Sequence, residues 1–275
     1  MLVAAALVPD TALLVPGAAG ATDVLADLRD AAARAVGRLP GAPVVVVAPG
    51  PADREVSGQV TGSLSGVGVP DEALRWPVPS VLLGTGGSSR PGAADVSGRA
   101  GGRVPASGTA VALHLLARAG REPARVLEVV RESGEPGRGE RLRALGASLV
   151  ADGPVALVVV GSLSARHGPD APLADDPAAA PLDAELLTAL AGERPAAALD
   201  RLGEARAGSL AVSGWAPWQV LAGALGSADP RAEVLAAQEP FGAAHAVLSW
   251  LPAAAAEHDA SPTGRGVRAT GGVGR

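Results

Sequence analysis

Cysteine, lysine, asparagine, isoleucine and tyrosine are missing from this 275-residue chain, and phenylalanine and methionine occur once each. Without cysteine there is no disulfide, no thiolate nucleophile and no thiolate-bound zinc or iron–sulfur cluster. The pattern of missing residues is that of a strongly GC-biased genome, so the absence of lysine reflects mutational pressure and says nothing about function. A basic face is missing too: 23 arginines are scattered among 28 acids and the formal charge is −5. Neutralising a phosphate backbone needs clustered cations, so nucleic acid is excluded as a partner. No run approaches the roughly 20 apolar residues that a membrane span requires. The first 20 residues lack the basic segment of a secretion signal, and Pro9-Asp10 interrupts their apolar stretch. The expected location is the cytoplasm.

What the chain does have is a core: 48% of its residues are hydrophobic, enough for one large domain. Leu2 to Val8 is a short apolar run closed by Pro9, suited to a buried strand. Thr22 is placed to cap a helix whose apolar face runs from Leu25 to Leu39. Four consecutive valines in the run from Pro43 to Ala48 predict a strand covered on both faces. Residues 52–77 are Gly- and Ser-rich, 78–83 form a third strand, and 84–104 are loop by composition. Helices are expected over 108–119, capped by Ser107, and over 123–132 and 139–151. Val155 to Val160 is the strongest strand signal. Helices over 182–191, 195–205 and 215–225 and a strand over 243–251 follow, and 253–275 are expected to be a disordered tail.

Strands separated by helices predict an α/β fold: a single domain, residues 1–252, with a central mostly parallel or mixed sheet flanked by helices. Ligands in such folds sit beyond the carboxyl ends of the strands. Here those ends carry Pro9-Asp10, Pro49-Gly-Pro51, Gly84-Thr-Gly-Gly87 and Gly161-Ser-Leu-Ser164. Asp10 is the most informative of them, because a lone carboxylate with no histidine beside it is a poor start for a transition-metal site.

Common catalytic motifs are not met. Gly84-Thr-Gly-Gly-Ser-Ser89 has serine where a dinucleotide loop needs its third glycine. Neither Gly62-Ser-Leu-Ser-Gly66 nor Gly161-Ser-Leu-Ser-Ala165 has nucleophile-elbow spacing, and no Walker motif exists. Of four histidines, His114 lies in an apolar helix and reads as a hydrogen-bonded core residue, and His258 lies in the tail. His245 falls near the last strand, within sequence reach of Glu239. His167 follows the strongest strand, with Asp170, Asp175 and Asp176 behind it; an acidic loop with one histidine is able to hold a hard cation, but Pro169, Pro172 and Pro177 fit an ordinary solvated connection better.

Several segments together resemble the catalytic B-subunit domain of class III extradiol ring-cleavage dioxygenases, and more narrowly the small uncharacterised actinobacterial proteins of that superfamily. They are Pro9 to Pro16, Val155 to Ser164, Pro181-Leu-Asp183, Ala216 to Ala224 and Glu239-Pro-Phe-Gly242. The resemblance spans residues 1–252 and implies an iron site. In active relatives the first strand ends at an Fe(II)-binding histidine, a second histidine follows the second strand, and the late strand ends in Gly-Asp-Leu-Ser-His with an acid–base histidine. This chain departs at each point: Asp10 stands at the first position, Ala48-Pro-Gly-Pro51 offers nothing at the second, and Ser162 and Ala165 replace the Asp and His of the third. Glu239 is loosely matched to the carboxylate ligand, and His167 lies two residues beyond its expected place.

Two expectations follow from the resemblance. The first is a degenerate, non-catalytic member of the superfamily, without cofactor, whose crevice, lined by Asp10, Ser162, Ser164 and His167, takes a small-molecule ligand or serves assembly. A homo-oligomer is compatible with this. The second is an extradiol-type ring-opening dioxygenase, or another metalloenzyme, with Fe(II) or another divalent metal held by a rearranged set of Asp10, His167, Glu239 and His245.

Overall fold

The computed structural model describes residues 1–84, 104–192, 195–226 and 231–251. In chain order the elements are β1 (Leu2–Val8), α1 (Ala26–Gly37), β2 (Val44–Gly50), β3 (Arg54–Val56), β4 (Gly58–Thr61), β5 (Ser80–Leu83), α2 (Ser107–Arg118) and β6 (Arg125–Val130). There follow α3 (Arg138–Leu149), β7 (Val155–Val160), α4 (Ala179–Ala191), α5 (Pro195–Arg201), α6 (Glu204–Ser209), α7 (Trp215–Leu225), β8 (Arg231–Gln238) and β9 (His245–Leu251). Seven strands form one mixed sheet in the order β3-β6-β2-β7-β1-β9-β8, and β4 and β5 form a separate hairpin.

The four middle strands β6, β2, β7 and β1 run parallel, and β3, β9 and β8 are each antiparallel to their neighbours. Side-chain alternation divides the core into two halves. Ala4, Ala6 and Val8 of β1, Val44 and Val46 of β2 and Val158 and Val160 of β7 bury against α1 and α2. Ala5, Leu7, Val45, Val47, Leu157 and Val159 point the other way, toward α4, α5 and α7. A run that is apolar at every position is thus explained by a sheet covered twice. This is the α/β architecture expected from the sequence.

On the second face α3 lies mainly on α7. The two backbones touch where glycines leave room: a Cβ on Gly146 would lie 1.8 Å from Val220 O, and one on Gly223 would lie 1.9 Å from Arg143 O. Trp215 and Trp218 anchor α7 and are 4% and 3% exposed, as their three-residue spacing predicts.

Several elements differ from expectation. Residues 123–132 are not a helix. Arg125 to Val130 is the strand β6, because Val126 buries against one face and Leu127 and Val129 against the other. The spacing of these residues fits either period, and burial on both sides decides for the strand. β8 was not expected at all, since its Ala, Glu, Leu and Gln favour helix, but pairing with β9 holds it extended at the sheet edge. The segment 52–77 contains the short strands β3 and β4. Thr22 does not cap α1, which begins at Ala26, and Ser107 lies inside α2, where the cap is Ala106. Residues 195–205 divide at Gly203 into α5 and α6. Most of the Gly84–Ser89 motif and all of the 253–275 tail, with His258, lie outside the described residues.

Candidate functional site

β1 and β7 are parallel neighbours with Val8 opposite Val160, so the residues two beyond each strand end, Asp10 and Ser162, are brought together. The Ser162 hydroxyl donates to Asp10 Oδ1 at 2.6 Å, and the Ser213 hydroxyl donates to the same oxygen at 3.0 Å. Ser213 Oγ also accepts the Ser162 backbone N–H at 2.8 Å. Asp10 Oδ2 faces Arg131 Nη2 at 2.9 Å, and the carboxylate side chain is 9% exposed against 59% for the arginine. Gly108, in the first turn of α2, lets that helix pack closely here, since a Cβ on it would lie 3.2 Å from the Asp10 Cβ. The Asp10 carboxylate is therefore held by one guanidinium and two hydroxyls.

His245, at the start of β9, places Nδ1 2.9 Å from Ser162 Oγ. Ser162 has one hydroxyl hydrogen and gives it to Asp10, so the complementary arrangement has His245 donating Nδ1–H to Ser162. Burial pushes the His245 pKa down, and the nearby Asp10 charge only partly opposes it. The ring is neutral in this network.

A second cluster starts two residues further along. Ser164 donates its hydroxyl to Asp183 Oδ2 at 2.6 Å and its backbone N–H to Asp183 Oδ1 at 3.0 Å. His167 Nε2 lies 2.7 Å from Asp183 Oδ2 and 2.7 Å from Ser164 Oγ, and His167 Nδ1 lies 3.0 Å from Glu239 Oε2. The imidazole thus bridges a buried carboxylate on α4 and a half-exposed one on the turn before β9. That turn is fixed by the His167 N–H donating to Gly242 O at 3.0 Å, and a Cβ on Gly242 would lie 2.4 Å from His167 O. Behind His167, Asp175 accepts the Gly168 N–H and Asp176 the Ala178 N–H, so both carboxylates cap loop backbone.

Asp10, Ser162 and His245 thus belong to one cluster, and Ser164, His167 and Glu239 to another. Ala165 contributes its N–H to Leu210 O at 3.2 Å. His245 meets Ser162 and not Glu239. His114 is buried and hydrogen-bonded to Gly62 O at 2.9 Å, as expected of a core histidine.

The Fe(II) that the resemblance implies needs two imidazoles and a carboxylate on one face, with open positions for oxygen and substrate. The residues present do not fit it. Both nitrogens of His167 face carboxylates on opposite sides of the ring, and Asp10 is engaged by Arg131 and two hydroxyls. The rearranged set Asp10, His167, Glu239 and His245 is divided between the two clusters. Among the described residues no group of three His, Asp or Glu is placed to hold a metal ion.

Sequence reasoning missed Arg131 and Ser213. Arg131 directly follows β6, so reading 125–130 as a strand would have put it at a strand end. Ser213 precedes α7 in a connection with no distinctive spacing. Asp183 lay within the motif Pro181-Leu-Asp183, but only as part of a resemblance.

No protein-family model matches the chain, and no curated protein matches it. Among solved structures it is similar to an uncharacterized protein of Escherichia coli K12, at 14% identity and a TM-score of 0.46, over 90% of this chain and 99% of that one. No helix among the described residues is long and apolar enough to cross a membrane.

Proposed function

We propose that this chain is a non-catalytic member of the class III extradiol dioxygenase superfamily, in which the iron ligands have given way to a carboxylate–hydroxyl–imidazole network. The Asp10–Arg131 pair carries the reading. A residue at the place of the first iron-binding histidine is engaged by a cation and two hydroxyls, and a cation-paired carboxylate makes a poor metal ligand. The strand-end position remains suited to a small-molecule ligand or to an assembly role in the cytoplasm, as open α/β sheets use it.

An oxygen-electrode assay tests this. With Fe(II) supplied anaerobically and catechol or protocatechuate then added in aerated buffer, oxygen consumption stays at the protein-free rate. Uptake that scales with enzyme and gives a ring-opened chromophore would favour the rearranged metalloenzyme instead.

A further inference from the structure

Where α3 leans onto α7, the helical layer stops short of the sheet edge, and a groove of about 390 Å³ remains between β3, β6 and α3. Its floor is apolar: Leu127 and Val129 from β6, Leu142 and Leu145 from α3. Its size lies within the range of small-molecule sites, roughly 300–1,000 Å³. Its rim is charged, and the charges are not equivalent.

Two rim carboxylates, and Glu128 turned to the opposite face of the sheet, are firmly occupied. Glu128, fully buried, accepts from Arg54, the Ala106 N–H and the Thr109 hydroxyl. Asp53 is held in a two-bond pair by Arg138 at 2.7 and 2.8 Å, and Glu55 by Arg125 at 2.8 and 2.9 Å. The fourth rim cation, Arg141, differs. Its carboxylate partner is Glu135, and both side chains are open to water, at 53% and 65% exposure. Exposed ion pairs of this kind contribute about 0–1 kcal/mol, so another carboxylate can replace Glu135 at little cost.

We propose that this groove binds a small amphipathic carboxylate, its apolar chain on Leu127, Val129, Leu142 and Leu145 and its head group on Arg141 in place of Glu135. The site is separate from the Asp10 network and does not depend on the function proposed for it.

Octanoate is the probe, titrated into the full chain by calorimetry and by NMR of the ligand, with 1-octanol as the neutral control. One saturable octanoate site is expected, with octanol at least about tenfold weaker, since tenfold corresponds to about 1.4 kcal/mol. Arg141→Gln weakens octanoate by about the same factor, and Glu135→Gln strengthens it by releasing Arg141 Nη2, while Nη1 stays on Pro136 O. Leu145→Asp abolishes binding, with an unchanged circular-dichroism spectrum showing that the fold is kept. Absence of saturable octanoate binding would overturn the proposal, as would equal affinity for octanol or indifference to both Arg141→Gln and Glu135→Gln.

Discussion

At the scale of single residues, Asp10 shows how one side chain sets the chemistry of a strand end. Replacing it by alanine removes a carboxylate that takes hydrogen bonds from Arg131, Ser162 and Ser213. Bonds to charged groups contribute about 1.5–3 kcal/mol each, but Arg131 returns to water easily, so we predict a loss of about 2–3 kcal/mol by urea denaturation. Ser213→Ala leaves the guanidinium pair intact and should cost about 1 kcal/mol. A Ser213→Ala loss as large as that of Asp10→Ala would mean that the hydroxyl, and not the ion pair, holds the network. Asp10 and Ser162 were legible in the sequence, because a polar residue just past an apolar run has to lie at a strand end. Their partners were not, since Ser213 and His245 lie 203 and 83 residues from the groups they meet.

Two buried histidines, one of them in the network, give the fold a pH signature. Burial lowers the folded-state pKa of both His114 and His245. The unfolded chain therefore takes up protons first, near the ordinary histidine value of about 6.5. Their contribution to stability is complete above that value and is lost as pH falls below it. Asp53 and Glu55, held below the usual carboxylate range by hydrogen bonds from Arg138 and Arg125, extend the loss at lower pH. Melting temperature should be flat from about pH 8 to 7 and fall from about pH 6.5 downward, with a shallower fall in His245→Gln. A rise on acidification would contradict the neutral, buried assignment of these rings.

At the scale of elements, the long apolar runs were legible and the polar or ambiguous strands were not. β1, β2 and β7 are apolar at nearly every position, so no helix-sized polar face competes. β6 carries Glu128 in its middle, which reads as helical until Arg54 and α2 are seen to hold that carboxylate. β8 is extended only because β9 pairs with it. α7 is the element most open to test. Trp218→Ala should cost about 3–5 kcal/mol, as expected for a large side chain removed from a packed site. Gly223→Ala should destabilise by at least about 1–3 kcal/mol, because the new methyl meets the α3 backbone at Arg143. An unchanged melting temperature for Gly223→Ala would mean that α3 and α7 do not meet as described, and for Trp218→Ala that this face of α7 is not packed.

At the scale of the whole molecule, the α/β layers were legible because alternation of strands and helices survives errors in individual elements. The site was only partly so. Strand ends indicate where side chains gather, but which ends converge depends on strand order, and β9 enters the sheet beside β1 only through long-range antiparallel pairing. That pairing brings His245 to Ser162 and leaves His167 with Asp183 and Glu239, so the four candidate ligands do not form one metal site. The central claim is that this strand-end network does not hold iron. Anaerobic calorimetry of the purified chain with Fe(II), followed by metal analysis after dialysis, measures it directly. We predict no saturable site and far less than one iron per chain, whereas stoichiometric iron retained through dialysis, and lost in Asp10→Ala, would contradict the claim.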